Sequence, residues 1–570
     1  MLTEPVIRRR AAGQPERLPP SLHPVLRRVY AARGLLPGEL SMDLAELLPP
    51  SGLLGIDGAA RELADAIERA TPIVIAGDYD ADGATGTALA VLGLRALGAA
   101  KVDYVVPDRF RMGYGLSPAL AELAAATGAR LLVTVDNGIA SVAGVARAQQ
   151  LGLRVVITDH HLPGPQLPAA EAIVNPNQPG CGFASKALAG VGTLFYVLLA
   201  VRAELRSRGV LAQNGGPNLS DFLDLVALGT VADLVRLDRN NRILVEQGLR
   251  RIRAGRARPG LLALLRVAGR DAARCSASDL GFALGPRINA AGRLDDMRTG
   301  IECLLAADAA AAEPHARALD GLNRERREVQ EQMQLDAVEL VDGAGSVGLC
   351  LFHPDWHEGV VGLVASRVKE LRHRPVIAFA RAQQADELKG SGRSISGLHL
   401  RDALAAIDAQ HPGLIARFGG HAMAAGLSLD AARLDEFSRA FDRVCAAQLD
   451  EAALQRIVET DGALAADELS VETAAALEHA GPWGQGFAEP LFEGRFEVQQ
   501  SRLVGSGGDH VKYSLRMGGT SIDAIDFGGA ARRCMGGAVD LLFVPAVNRW
   551  QGRESLDLRI VQLRAVLGPA

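Results

Sequence analysis

Residues 72–86 read PIVIAGDYDADGATG: an apolar run ends at Gly77, and Asp78, Asp80 and Asp82 follow at alternate positions. A short β-branched run stopped by glycine predicts a buried strand, and the Ala-rich stretch Ala84–Leu97 behind it predicts a helix. The same unit repeats outward along the chain. Val102–Val106 (VDYVV), Leu131–Val135 (LLVTV) and Val155–Thr158 (VVIT) read as strands, with helical segments at Ser117–Ala126 and Ala140–Leu151. Apolar strands alternating with helices of this length build a parallel, doubly wound sheet, so the fold class is α/β. Ligands of such sheets bind beyond the carboxyl ends of the strands. Three of those ends carry chemistry: the alternating aspartates, Asp136 after LLVTV, and Asp159-His160-His161 after VVIT. Asp233, which follows the buried-helix pattern Asp221–Leu228 and GTVA, is placed to complete the set.

Asp-x-Asp in a loop aims alternate carboxylates at neighbouring ions, and the two oxygens of Asp136 suit it to bridge a pair. One imidazole among several carboxylates favours Mn²⁺, with Mg²⁺ as the alternative. Two ions about 3.5–4 Å apart activate water and stabilise a phosphoryl leaving group. A single Asp after a strand is ordinarily a helix cap. Acidic residues and imidazoles at several strand ends together point instead to a metal centre.

A chain of 570 residues is too long for one core; at ~150 residues per domain it divides into three or four. With 48% apolar and 22% charged residues it is neither disordered nor fibrous. The net charge of -5 shows no global basic field, and Lys occurs only at 101, 186, 369, 389 and 512, so arginine dominates the cations. Six scattered cysteines without a CxxC pair disfavour zinc modules and disulfides and fit a reducing compartment. Neither a secretory leader nor a run of ~20 apolar residues is visible, which predicts a soluble cytoplasmic protein with no membrane attachment. The first fifty residues, rich in Pro and Arg, read as an irregular arm packed on the region next to it in sequence. Ala309–Val341 reads as one long charged helix, αβ patterning resumes at Val347, and five alternating, Gly-punctuated strands close the chain as a small barrel of oligonucleotide-binding (OB) type.

Further motifs join these: FGGHAMAAG (Phe418–Gly426), HPDWHEGVVGLVASR, GPRINAAGRLD and ALGTVADLVRL. On these residues and the Asp-His-His triplet the chain resembles the DHH phosphoesterase superfamily with its companion DHHA1 domain, and within it the RecJ branch of single-strand-specific 5′ exonucleases. The resemblance covers residues 50 to 570. It implies an arm (1–50), a doubly wound DHH catalytic domain (51–305), a connecting helix (306–343), an αβ DHHA1 substrate-binding domain (344–455) and an OB-like β-barrel (456–570).

The resemblance also implies metal ligands at Asp78, Asp80, Asp136, His160 and Asp233, with His161, Asp82 and Arg287 as catalytic neighbours. Many superfamily members place a His four residues before the first Asp of Asp-x-Asp; Val74 stands there, and Asp82 is the compensating candidate. Asp159 is expected to orient a neighbour. Phosphate recognition falls to arginine and glycine backbone: Arg109 and Arg111 past the second strand, Arg287 and Arg293 around INAAG, Ser391 and Arg393 in GSGRS, and Gly419, Gly420 and His421. Arg109, Ser391 and Arg393 would receive the 5′ end and Arg287 the scissile phosphate. Trp356 is read as core. In the barrel, Tyr513, Phe527 and Trp550 are candidates for base stacking, with Lys512, Arg516, Arg549 and Arg553 tracking the backbone.

The expected activity is two-metal-dependent 5′→3′ hydrolysis of single-stranded DNA in recombination and repair, by a monomer whose implied partners are single-strand-binding protein and a RecQ-type helicase. Rivals are a DHH phosphodiesterase acting on small substrates, which usually lacks the barrel, and a non-catalytic DNA-binding scaffold. A nicotinamide-binding protein is disfavoured, because no GxGxxG follows the first strand.

Overall fold

The structure, a computed structural model, describes residues 5–109, 111–212, 215–341, 345–382 and 386–566. The side chain of Trp550 lies outside this description. Residues 9–320 with 460–570 form one compact unit, and 1–8 with 321–459 form another.

After the short strand β1 (Val6–Arg9), the larger unit is built on a five-stranded sheet. Its strands are β2 (Ile73–Ala76), β3 (Val102–Val105), β4 (Leu131–Val135), β5 (Arg154–Thr158) and β6 (Ala172–Val174), in the order β3-β2-β4-β5-β6. Every pairing is parallel, as the apolar runs predict. The chain leaves β2 toward β3 and returns on the other side as β4, so the topological switch lies between β2 and β4. The helix Ala81–Ala96 is buried along almost its whole circumference, as are Gly190–Ser207 and Leu223–Ala232, against which it packs. Helices Pro118–Ala126 and Val142–Gln150 share a core cluster with Val74, Ala76, Leu132 and Val155. Val74 is thus committed to hydrophobic packing.

Two expectations change. β6 was not foreseen; it has three residues behind a polar stretch, at the edge of the sheet. The first fifty residues are not uniformly irregular, because Pro24–Ala32 is a helix started by its proline, with Val25, Leu26, Val29 and Tyr30 buried. Nor does the arm pack only on its neighbour in sequence. The Tyr30 hydroxyl donates to the Ala480 carbonyl at 2.7 Å, and the Arg33 guanidinium grips Asp461 at 2.6 and 3.2 Å while lying over the Trp483 ring. Arg9 pairs with Glu493 and Arg28 with Glu468.

The other unit holds most of the helix Ala309–Val341 and a mixed sheet of β7 (Leu349–Phe352), β8 (Val376–Arg381), β9 (Glu387–Arg393), β10 (Arg417–Gly420) and β11 (Ala424–Asp430), ordered β10-β11-β9-β8-β7. Its core joins Phe379, Leu404, Phe437 and Phe441. β12 (Ile457–Thr460) pairs with β1. In the larger unit, β13 (Phe492–Val504), β14 (His510–Met517), β15 (Thr520–Asp526), β16 (Gly537–Trp550) and β17 (Arg553–Ala565) close a barrel around Phe492, Phe496, Tyr513 and Phe543. Among the described residues no helix is long and apolar enough to cross a membrane.

Candidate metal centre

The parallel ladder brings three strand ends level. Gly77 N–H donates to Val105 O, Asp136 N–H to Thr158 O, and Asp159 N–H to Val174 O, so the acidic residues leave the sheet along one edge. Asp80 caps the helix Ala81–Ala96, its Oδ1 accepting from Gly83 N–H at 3.0 Å. Asp233 is the last-turn cap of Leu223–Ala232. Three groups result, each with ligand atoms mutually within 4.8 Å: Asp78, Asp80 and Asp136; Asp82, His160 and Asp233; and Asp136, His160 and His161. His160 Nε2 lies 3.0 Å from Asp136 Oδ1, 3.5 Å from Asp233 Oδ2 and 4.0 Å from Asp82 Oδ2. All five expected metal ligands therefore meet at the switch point.

This arrangement is electrostatically unfavourable on its own. Asp78, Asp136 and Asp233 are pushed well above the ordinary carboxylate range, by burial first and by neighbouring carboxylates second. Asp82 is raised to about 7 by burial and by Asp80. Asp78 Oδ1 and Asp136 Oδ1 are buried and accept no hydrogen bond. Buried acceptors normally find a partner, and a hard divalent cation supplies what these lack. The residues present fit Mn²⁺ or Mg²⁺.

The surroundings fix the geometry. Asp136 has φ +63°, a conformation disfavoured for a side-chain-bearing residue. It faces Gly190, where a Cβ would fall 2.6 Å from the Asp136 Cβ. Asp82 is more than a spare ligand, because its carboxylate accepts from Gly190 N–H at 2.6 Å and Val191 N–H at 2.9 Å, anchoring the start of helix Gly190–Ser207. Asp159 accepts from the N–H groups of Ile139, His160 and His161 and from His161 Nδ1 at 2.8 Å. Burial works against its charge, but these bonds outweigh burial and hold it below the usual range. Burial also works against protonated His161, and Asp159 overcomes it, raising that imidazole to about 9.

Sequence reasoning missed several supports. Asn177 and Asn175 donate to the carbonyls of His160 and His161 at 2.6 and 2.9 Å. The Asn289 side chain receives Ala81 N–H at 2.8 Å, and Tyr114 reaches both Asp136 and His161. The motifs NPNQPG, GPRINAAG and FRMGYG contain them, but asparagine in a Pro/Gly context reads as a turn former.

Three family models match: the DHH family N-terminal domain over residues 72–230, the DHHA1 domain over 344–447 and the RecJ OB domain over 460–562. The chain is 53% identical over 569 residues to the single-stranded-DNA-specific exonuclease RecJ of Dickeya dadantii, covering 98% of each chain. This chain belongs to the RecJ family. It is 50% identical to the Escherichia coli RecJ over 97% of this chain and 98% of that one. A crystal structure of Thermus thermophilus RecJ in complex with Mn²⁺ matches with a TM-score of 0.80 at 30% identity, over 99% of this chain and 80% of that one. Membership in the RecJ family bears out the fold class expected from the sequence, including the terminal barrel.

The remaining expected contacts of this RecJ-family chain fall into distinct settings. Arg109 lies 4.9 Å over the Tyr79 ring, beside the aspartate loop, and Arg111 is 3.7 Å from Asp108. Arg293 ends the helix Gly285–Leu294. Arg287 on that helix is buried, its guanidinium donating to Asp320 at 3.0 Å and to the Ala283 carbonyl at 2.7 Å. In the other unit, Arg393 donates to Ser391 Oγ at 3.1 Å beside Gly362, at the start of helix Val361–Arg372. Gly419 and Gly420 end β10, and the exposed His421 begins its turn into β11. Trp356 is buried and donates to Asp336, as read from sequence. In the barrel Tyr513 is core, whereas Phe527 is exposed beside His510. Lys512, Arg516 and Arg549 are engaged by Asp557, Glu497 and Glu478, so those three expected backbone contacts are already paired with carboxylates.

Proposed function

We infer that this chain is a divalent-metal-dependent exonuclease that hydrolyses phosphodiester bonds of single-stranded DNA in the 5′→3′ direction, in recombination and repair. The observation that carries the reading is the cluster of Asp78, Asp80, Asp82, Asp136 and Asp233 around His160, whose carboxylates repel one another and leave two buried oxygens without a hydrogen-bond donor. Asp78, Asp80, Asp136, His160 and Asp233 hold two cations; the groups Asp78–Asp80–Asp136 and Asp82–His160–Asp233 share no residue, which supports two sites. Mn²⁺ or Mg²⁺, when bound, activates water and offsets charge on the phosphodiester.

The chain's own residues supply the rest. Asp159 holds His161 as a proton-bearing imidazole at the edge of the centre, and Asp82 keeps the helix behind Asp136 in place. Arg109 and Arg293 offer planar cations to phosphate. Arg287 reaches the scissile phosphate only by exchanging Asp320 for it. Ser391 and Arg393 form a phosphate-sized pair suited to a 5′ terminus, and Gly419, Gly420 and His421 offer backbone and imidazole donors to the strand. The enzyme works as a cytoplasmic monomer, with single-strand-binding protein and a RecQ-type helicase as partners. A single-stranded oligonucleotide labelled at either end, incubated with Mn²⁺ or Mg²⁺, tests the reading. Mononucleotides from the 5′ label first are expected; release from the 3′ label first, or turnover in chelator, would refute it.

A further inference from the structure

Tyr114 belongs to none of the expected ligand or phosphate sets, yet it contacts two members of the centre. Its ring is half exposed, while its hydroxyl turns inward and donates to the Asp136 carbonyl at 3.0 Å. The same oxygen lies 2.9 Å from His161 Nδ1 and 3.1 Å from Nε2. With its one hydrogen given to the carbonyl, the hydroxyl is an acceptor toward the imidazole. Gly113 and Gly115, both with left-handed φ, flank the tyrosine and set its direction.

The consequence for Asp136 is specific. Its backbone sits at φ +63°, a conformation that persists only where surroundings over-determine it. Its N–H is pinned to Thr158 O on β5, and its C=O is pinned by Tyr114 from the segment after β3. A peptide fixed at both polar ends holds its carboxylate toward Asp78, Asp80 and His160. His161 is fixed similarly, by Asp159 on one side and Tyr114 on the other. Tyr79, over which Arg109 lies, meets the Tyr114 ring edge-on at 6.3 Å, so the hydroxyl is tied to the side chain that carries that cation.

We propose that Tyr114 is a positioning residue of the exonuclease: its hydroxyl sets the backbone of Asp136 and the ring of His161 for hydrolysis, and it neither ligates metal nor holds DNA. The proposal rests on the exonuclease reading and deepens it. Partners of this kind, removed from behind a metal site, cost roughly 10–100-fold in activity.

The test compares Tyr114→Phe with wild type on a 5′-phosphorylated single strand in Mn²⁺, reading kcat, KM and the melting temperature. Tyr104→Phe, which removes a β3 hydroxyl bonded to Glu302 away from the centre, is the matched control. For Tyr114→Phe, kcat is expected to fall roughly 10–100-fold with KM within about twofold and an unchanged melting temperature, while Tyr104→Phe keeps wild-type kcat. A kcat for Tyr114→Phe within about twofold of wild type, or a defect confined to KM, would overturn the proposal. A wild type that degrades no strand at all would instead overturn the exonuclease reading beneath it. If Tyr114→Phe melts early, Mn²⁺ titration of the folded variant decides: an affinity and kcat both equal to wild type reject the positioning role.

Discussion

At the scale of single residues, Asp136 concentrates the demands of the site: it is buried, left-handed in backbone, crowded by Gly190, and shared between two possible ligand groups. Asp136→Ala is expected to lower hydrolysis by at least about a thousandfold while single-strand binding, read by fluorescence anisotropy, stays close to wild type. Residual Mn²⁺-dependent turnover near the wild-type rate would remove Asp136 from the centre. Arg393 has a different expected signature. Arg393→Ala should raise KM for 5′-phosphorylated strands about tenfold and leave Mn²⁺ affinity alone, since one charge-assisted contact is worth about 1.5–3 kcal/mol. The residues visible in sequence were those whose spacing is itself chemical, such as alternating aspartates and paired histidines. Asn175, Asn177 and Tyr114 were not, because their side chains serve backbone carbonyls brought near only by folding.

At the scale of elements, the strand ends fix the site because parallel pairing places Asp136 and Asp159 side by side without help from any loop. The apolar runs revealed this sheet, and Leu131–Val135 and Ala309–Val341 have the limits read from sequence. The short edge strand β6 and the arm helix were hidden by polar and proline-rich surroundings. The helix Gly190–Ser207 is the element most tightly coupled to the centre: Asp82 caps it, and Gly190 abuts Asp136. Gly190→Ala places a Cβ 2.6–2.8 Å from Asp136 atoms, which forces either the aspartate or the helix to move. Mn²⁺ affinity by calorimetry is expected to fall at least about tenfold, since a second-layer change of this sort costs 10–100-fold. Unchanged affinity would show that the helix start yields freely.

At the scale of the whole molecule, the centre links stability to pH and metal. Without metal, the folded state keeps protons that the unfolded chain releases near the ordinary carboxylate value of 3.8, with Asp82 titrating at about 7 and Asp78, Asp136 and Asp233 also raised. That stability is fully present below the unfolded value and is lost as pH rises through the folded one. The melting temperature in chelator should therefore fall between about pH 6 and about pH 8, and saturating Mn²⁺ should restore it, most strongly at the upper end. Metal-independent melting across that range would contradict a cation-holding cluster. The net charge of -5 is in keeping with this: the carboxylates that make the chain acidic include those built to be neutralised by ions.

The N-terminal arm has a bearing on synthesis. Arg33 must wait for Asp461, 428 residues later, and Arg9 for Glu493, 484 residues later. At about 5–20 residues per second, those partners emerge from the ribosome roughly 20–100 s after the arm does. The sheet, its helices and the aspartate cluster all lie in between, so the catalytic half is translated while the arm has none of its C-terminal counterions. The clasp between the first residues and the last hundred is thus the final stitch of translation, closed only after the nuclease fold beneath it has been made.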